Sequence, residues 1–507
     1  MQSFKKLIKA PEFLTLAFIA LFRVVYFFCL DFHYTSDSYE YIARDGFSWL
    51  LGGIDRYRLP VYPMVIDICK LVSGSHFALL LCLLQLVVSV FSVVVLYWTL
   101  KKIIDKKWIC LAITFLYGTL SAVAGWDKTL LTESFSLSLT VFIIFGIVSF
   151  LKEDKYKYVI ITTLCLLVGC FLRAVFVIYL GLFFGFMLLC IIFPKKADEG
   201  SNPAKQRKKA VKHTLIAAIP LLFVFIYAFT FNNLYGGFTL SDSALGQQLH
   251  IVLQRGYYKD ASDAEIKKDA DEILNSTANS LLEKNLNSLF SEFYKNSDKP
   301  EITKIKEQML SAYDGKLDKE LESDLNNYIY EIYKNDFDCS FTNPTYLARI
   351  YILENYDRDR VVQFVNQSKM SNLKNYLVKI PFNILGSYSS ANTVKSSSLP
   401  ALLSNISNNS LFFVTLTVLH SFVISVIELL SFIVILIKKK KADWLKLGLG
   451  TFILATILLS ITGTNGEFAR TAITALPFTF VALATYANGL CSRIIDKLHK
   501  SPIQSEI

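Results

Sequence analysis

Charged residues are scarce in this chain of 507 residues, and its cysteines follow no recognisable pattern. Asp, Glu, Lys and Arg make up 19% of the sequence, against roughly 25% in soluble proteins. The hydrophobic fraction of 53% excludes an intrinsically disordered chain. Most of the nine cysteines fall in or beside apolar blocks and no CxxC spacing occurs, which excludes a disulfide scaffold and a cysteine-based metal motif. A glycine-rich phosphate loop is also missing, which disfavours a cytosolic nucleotide-sugar site.

Long apolar blocks are what the sequence does have. A transmembrane helix needs ~20 predominantly apolar residues. Roughly ten blocks approach or exceed that length: 11–30, 76–100, 108–124, 132–151, 157–171, 174–194, 214–231, 411–437, 445–461 and 471–490. The sequence therefore predicts an all-α polytopic membrane protein with about ten or more transmembrane helices.

The net charge of +10 is distributed unevenly along the chain. Residues 232–410 contain 19 Lys and Arg against 23 Asp and Glu, so this segment carries −4 and the remainder +14. Most of the excess lies in short basic clusters between alternate apolar blocks, which the positive-inside rule assigns to the cytoplasm. Both termini are then cytoplasmic, and the charge is no sign of nucleic-acid binding. The loops expected outside the cytoplasmic membrane are 31–75, 125–131, 232–410 and 462–470.

Three segments follow from this topology. They are an N-terminal transmembrane module at 1–231, an extracytoplasmic domain at 232–410, and a C-terminal transmembrane module with a basic cytoplasmic tail at 411–507. Helical spacing of apolar residues predicts that the middle segment is mainly α-helical, for example around Ile302, Ile305 and Met309 and again over Tyr346–Val365. An amphipathic return to the membrane surface is expected over Tyr376–Phe382.

Charged side chains on the predicted outer loops are the candidates for function, since ionisable groups near a membrane are costly to retain. Arginine binds phosphate oxygens in a planar fork, and a carboxylate beside it can act as a general base. Two plainer interpretations stay open: interfacial anchoring by Tyr and Arg in the first loop, and a simple Glu133–Lys128 ion pair in the second. The candidates are Asp37, Tyr41, Arg56, Arg58, Asp127, Glu133, Arg173, Glu467 and Arg470.

Several short motifs around these residues resemble the GT-C superfamily of polytopic glycosyltransferases, which includes protein O-mannosyltransferases and bacterial lipid A aminoarabinose transferases. The resemblance covers the membrane portion, while residues 255–375 resemble no known domain. Asp37-Ser replaces the paired Asp-Glu of the eukaryotic mannosyltransferases, which argues against protein O-mannosylation. The motifs are Asp37-Ser-Tyr-Glu-Tyr41, Arg58-Leu-Pro-Val-Tyr-Pro63, Leu130-Leu-Thr-Glu133-Ser, Glu467-Phe-Ala-Arg470 followed by Pro477, and Phe231-Asn-Asn-Leu-Tyr-Gly-Gly-Phe-Thr-Leu240.

The resemblance implies roles for Asp37 and Arg58, and the remaining candidates are assigned from their places on the outer loops. Asp37 is expected to be the acidic catalytic residue, and Arg58, with Arg173 and Arg470, to contact the phosphate of a polyprenyl-phosphate sugar donor. Membrane lipid surrounds the protein, and no metal or other cofactor is required. Substrate-binding or site-wall positions are expected at Tyr41, Arg56, Asp127, Glu133 and Glu467.

The sequence thus predicts an inverting glycosyltransferase that uses this donor. It would transfer one sugar to an extracytoplasmic hydroxyl on a cell-envelope polysaccharide, teichoic acid or glycolipid. One alternative is a lipid-linked sugar flippase or transporter, which would favour internal repeats and charges near mid-membrane. No convincing repeat is present, and Arg23, inside the first block, is the exceptional charge, although its side chain could snorkel outward to the surface. A receptor or scaffold is the third interpretation, and it leaves the outer-loop charges unexplained.

Overall fold

A computed structural model describes residues 10–33, 36–193, 203–275, 344–374, 421–439, 442–463 and 472–500. Within these ranges the protein is built from helices, and its extended pairing is limited to one isolated parallel bridge between His33 and Thr129. The all-α fold predicted from the apolar blocks is confirmed. The candidate residues Glu467 and Arg470 lie outside the described residues, as do Ile302, Ile305, Met309 and the segment Tyr376–Phe382.

The helices are numbered in chain order. The first ten are α1 Pro11–Cys29, α2 Ser36–Ala43, α3 Val61–Ser73, α4 Phe77–Ile103, α5 Lys107–Thr119, α6 Ser121–Ala124, α7 Glu133–Glu153, α8 Tyr156–Leu172, α9 Val175–Ile192 and α10 Pro203–Tyr235. The next seven are α11 Ser243–Gln254, α12 Ala264–Asn275, α13 Pro344–Asn355, α14 Arg358–Ser371, α15 Ser421–Lys439, α16 Trp444–Gly463 and α17 Leu476–Lys500.

Every predicted apolar block contains a helix, but not every helix is a full-length span. In the described residues, seven helices are long and apolar enough to cross a membrane, or eight if α5 and Ser121–Lys128 form one span bent by 56°. Two shorter apolar helices, Tyr156–Leu172 and Trp444–Ser460, account for the remaining blocks. The bend occurs at Leu120, whose backbone is extended (φ −70°, ψ 129°) and interrupts the helical hydrogen bonds.

The first predicted loop contains more helix than its position suggested. Helix α3 buries Tyr62 and Ile66 on one side and exposes Leu71 and Val72 on the other, and a single 3-10 turn joins it to α4. Close packing fixes the preceding turn, since a Cβ on Gly46 would lie 2.1 Å from the backbone nitrogen of Met64. The described part of 31–75 therefore contains packed helix as well as loop.

Lysines predicted to share a membrane face do lie at one end of the helix bundle, here called the lysine end. Lys102 Nζ is 2.5 Å from Glu153 Oε1, and Lys209 Nζ is 2.5 Å from Asp154 Oδ2. Lys107 pairs with Glu12 on α1 at the same end. The opposite end, here called the site end, carries residues 31–75, 125–131, Arg173 and Asp242.

The helices from α11 to α14 share an apolar core of their own at the site end. Buried residues of this core include Leu249, Ile266, Ile352 and Phe364, one from each helix. The amphipathic pattern over Tyr346–Val365 is observed as two helices, with a break at residues 356–357. The described part of 232–410 is thus helical, as expected.

Candidate functional site

The first-loop carboxylate Asp37 and the arginine Arg58 form an ion pair at the site end. Asp37 lies in the first turn of α2, and its Oδ1 is 2.6 Å from Arg58 Nη2. The Arg58 backbone is fixed by Asp55, whose Oδ1 accepts hydrogen bonds from the amides of Tyr57 at 2.8 Å and Arg58 at 2.7 Å. Side-chain exposure is 22% for Asp37 and 14% for Arg58, so the pair is partly open to solvent.

Aromatic rings form the floor under this ion pair. The Arg58 guanidinium lies 4.8 Å from the centre of the Tyr41 ring, within the range of a cation–π contact. Tyr41 packs edge-on against Tyr62 at 5.0 Å, and the Tyr62 hydroxyl donates to Gln85 Oε1 at 2.9 Å. The Gln85 amide donates in turn to backbone carbonyls at 126, 127 and 129. This chain of contacts attaches the first loop to the second.

A second ion pair joins Glu133 to Arg173. Glu133 begins α7, where a carboxylate is favoured by the helix dipole, and Arg173 occupies the extended break between α8 and α9. Arg173 Nη1 lies 3.0 Å from Glu133 Oε1, with side-chain exposures of 15% and 0%. Phe135 lies two residues after Glu133, and its ring packs edge-on against the Tyr62 ring, with 6.2 Å between the ring centres. The second pair therefore lies beside the aromatic floor of the first.

Lys128 does not pair with Glu133, so the plainer interpretation of this second loop was wrong. Lys128 Nζ donates to the Leu30 carbonyl at 2.5 Å and lies over the Phe32 ring at 4.8 Å. The His33 amide donates to the Lys128 carbonyl at 3.1 Å, next to the isolated bridge. Burial lowers the pKa of His33 below its usual value.

Asp127 is engaged inside the bundle rather than exposed at the site. Its Oδ2 accepts from Arg23 Nε at 3.1 Å and Nη2 at 2.5 Å, and its Oδ1 accepts from Ser134 at 3.0 Å. Arg23 also donates to the Gly118 carbonyl at 3.3 Å and to Ser89 Oγ at 2.5 Å. Arg23 therefore lies inside the bundle and does not snorkel outward, because residues 121–128 turn inward and supply its counterion.

Arg56 also belongs to an ion pair, with a carboxylate that sequence reasoning missed. Asp242 precedes α11 and is buried, and its two oxygens accept from Arg56 Nε at 2.9 Å and Arg358 Nε at 2.8 Å. Asp242 directly follows the Phe231–Leu240 motif, but no spacing in the sequence pairs it with residue 56. Arg56 thus links the first loop to helices α11 and α14.

The structure brings five of the nine candidates together around Tyr62: Asp37, Arg58, Tyr41, Glu133 and Arg173. Asp127 and Arg56 each face a different partner nearby. Among the described residues, no group of three or more His, Cys, Asp or Glu side chains could hold a metal ion. The described site is an arrangement of arginines paired with carboxylates.

A scan of the sequence against protein-family models finds no match, and neither does a search of curated proteins.

Three similar solved structures are of the Archaeoglobus fulgidus oligosaccharyltransferase. Its AglB complex with an inhibitory peptide and a dolichol-phosphate is 11% identical over 97% of this chain and 52% of its own, with a TM-score of 0.40. The apo form is 11% identical over 98% and 53%, with a TM-score of 0.43. The form tethered to an acceptor peptide is 12% identical over 97% and 51%, with a TM-score of 0.42.

This chain therefore spans about half the length of those neighbours.

Proposed function

We propose that this protein is an integral-membrane inverting glycosyltransferase of the GT-C type. It transfers a sugar from a polyprenyl-phosphate donor to a hydroxyl outside the cytoplasmic membrane. The observation that carries the proposal is the partly exposed Asp37–Arg58 ion pair, in which a carboxylate oxygen and a guanidinium nitrogen lie 2.6 Å apart. Support also comes from the sequence motifs, which include both of these residues.

Asp37 acts as the base in a single displacement. It removes the proton of the acceptor hydroxyl as that oxygen attacks the anomeric carbon. The bond from the anomeric carbon to the phosphate oxygen breaks, and the electron pair leaves with the polyprenyl phosphate. Attack from the face opposite the leaving group inverts the configuration. General bases of this kind contribute typically ~10²–10⁴-fold to the rate.

Arg58 binds the donor phosphate and stabilises the charge on the departing group. In the structure its guanidinium is held by Asp37, so an incoming phosphate competes with that carboxylate for the same N–H donors. Transfer of Arg58 to the phosphate releases the Asp37 oxygen to accept the acceptor proton. One exchange of partners thus prepares both groups.

Arg173 and Glu133 form the neighbouring wall of the site. Arg173 faces a fully buried carboxylate, which holds the guanidinium in one position beside Tyr62 and Phe135. A cation there adds to the positive potential met by the donor phosphate. Tyr41 supports Arg58 from below through the cation–π contact with its ring.

The site end faces the outside of the cytoplasmic membrane in this proposal, and both termini are cytoplasmic. The positive-inside rule supports that orientation, since the lysine end collects Lys102, Lys107 and Lys209. The acceptor is an envelope polysaccharide, teichoic acid or glycolipid, held in part by helices α11–α14.

The test replaces Asp37 with Asn in the intact protein and follows envelope glycans together with the polyprenyl-phosphate-sugar pool. We expect normal insertion, loss of the product sugar and accumulation of the charged carrier. Asp45→Asn is the matched control, because Asp45 is an exposed carboxylate of the same loop that caps the Phe47 amide. Normal glycan in the Asp37 variant would remove Asp37 from the catalytic role.

A second variant pair tests the phosphate contact. Arg58→Ala should impair donor use more than Arg58→Lys, and both should retain less activity than the unchanged protein, because lysine cannot form the planar fork. Equal activity of the two variants would argue against a bidentate contact.

An assay of the purified protein in vesicles distinguishes a glycosyltransferase from the alternatives. Movement of intact lipid-linked sugar across the vesicle membrane would indicate a flippase. Appearance of the labelled sugar on protein instead of glycan would show that the acceptor is a protein.

A further inference from the structure

Asp242 is attached to the first loop through both its side chain and its backbone. The side chain is fully buried, and its Oδ2 accepts from Arg56 Nε at 2.9 Å. The Asp242 backbone amide donates to the Arg56 carbonyl at 2.8 Å. Arg56 precedes Arg58 by two residues, so this double contact fixes the segment from which the proposed phosphate-binding side chain projects.

The other oxygen of Asp242 holds the helices of the site-end core. Oδ1 accepts from Nε of Arg358, the first residue of α14, at 2.8 Å. The Arg358 guanidinium lies directly over Gly237, where a Cβ would be 2.2 Å from its Cζ. Arg56 Nη1 also donates to the Leu353 carbonyl near the end of α13, at 3.1 Å. One buried carboxylate thus joins the 231–242 connection, the α13–α14 pair and the first loop.

We propose that Asp242 is a positioning residue that sets the placement of Arg58 and transmits movement of α13 and α14 to the site. This inference rests on the proposed function, in which Arg58 binds the donor phosphate. Its physical basis is that a buried carboxylate shared by two arginines has no equivalent replacement. In Asp242→Asn one oxygen becomes an NH2 donor that faces an arginine N–H, so one of the two contacts must break.

The control is Asp263, which makes a comparable contact away from the first loop. Its oxygens accept from Arg360 Nε at 2.6 Å and Nη2 at 2.8 Å. Arg360 lies on α14, two residues after Arg358, so both arginines share a helix. Asp263→Asn therefore disturbs the same group of helices without touching the 54–58 segment.

The first measurement is amide hydrogen exchange of the full-length protein in lipid nanodiscs. Residues 54–58 should exchange about tenfold faster in Asp242→Asn, while Asp263→Asn leaves this segment unchanged. Equal exchange in the two variants would overturn the positioning role. This readout needs no donor or acceptor, so it is decided even if the proposed function fails.

The second measurement is binding of undecaprenyl phosphate to the same three proteins. Asp242→Asn should raise the Kd about tenfold, because the Arg58 fork is displaced from the phosphate. A smaller folded fraction would lower the amount bound but leave the Kd unchanged, which separates positioning from general loss of stability. An unchanged Kd beside faster exchange would overturn the link to Arg58. Absence of binding by the unchanged protein would instead count against the proposed function.

A gentler variant covers the case in which Asp242→Asn does not fold. Arg358→Gln removes the α14 side of the link and leaves the Arg56 contact in place, and Arg360→Gln is its matched control on the same helix. We expect a rise in Kd of about threefold for Arg358→Gln and none for Arg360→Gln. Identical Kd values for this pair would overturn the transmission from α14 to the site.

Discussion

Replacing Arg23 should destabilise the protein strongly, because it leaves a carboxylate buried in the bundle without its counterion. Side-chain exposure is 0% for Arg23 and 2% for Asp127, and Ser134 would remain as a hydrogen-bond donor to the carboxylate. Removal of one partner from such a pair costs about 3–5 kcal/mol. Lys107→Met is the matched control, since Lys107 also joins α1 to α5 but is half exposed, and it should cost at most about 1 kcal/mol.

The assay is reversible unfolding by SDS in mixed micelles, with helicity as the signal. Arg23→Met should lower the free energy of unfolding by the full amount of about 3–5 kcal/mol. The double variant Arg23→Met, Asp127→Asn should recover most of this free energy, because neither charge of the pair then remains buried. A loss below about 1 kcal/mol for Arg23→Met, or a double variant no better than the single one, would refute the reasoning. The double variant also tests the predicted site-wall role of Asp127. If it folds and transfers sugar normally, Asp127 acts through structure alone.

Two further predictions concern packing and pH. Gly46→Ala should lower the free energy of unfolding by ~1–3 kcal/mol in the same assay, because its Cβ would overlap the Met64 backbone. Gly448→Ala is the control and should be tolerated, because a Cβ at that position meets no neighbouring atom within 4 Å. Burial, with a smaller contribution from Arg349, lowers the pKa of His250 from 6.5 to about 4. His250 therefore binds a proton near pH 6.5 in the unfolded chain but only near pH 4 in the folded protein. The free energy of unfolding should fall as the pH is lowered across that interval. From pH 7 to 4 the melting temperature of the unchanged protein should fall by more than that of His250→Gln, and parallel curves would contradict the shift.

The parts of the fold that could be predicted are those encoded by local composition. Each apolar block contains a helix because a run of apolar side chains favours a continuous helix wherever lipid or other helices surround it. The Asp37–Arg58 pair was also within reach of prediction, since both residues belong to one short loop. The break at Leu120 was missed, although Gly118, Thr119 and Ser121 beside it are poor helix formers that favour a bend.

Pairings between distant residues were beyond sequence reasoning for a different reason. Arg23 and Asp127 are 104 positions apart, and Arg56 and Asp242 are 186 positions apart. A single charged residue does not specify its partner; helix packing brings the partner to it. Snorkelling toward the surface is the usual behaviour of a lone arginine in a transmembrane helix. Arg23 does not snorkel, because its counterion Asp127 is buried beside it.

Charge balance at the site end decides which arginine can bind a donor phosphate. The arginines of the described site are paired with carboxylates, so an incoming phosphate must displace one of them. Glu133 and Asp242 have side-chain exposures of 0%, and removing Arg173 from Glu133 would leave a buried charge, at a cost of several kcal/mol. Asp37 is 22% exposed and can be hydrated when Arg58 turns to the phosphate. Exchange of the carboxylate for a phosphate is therefore least costly at the Asp37–Arg58 pair. Arg173 is better suited to contributing to the electrostatic potential of the site than to binding the phosphate directly.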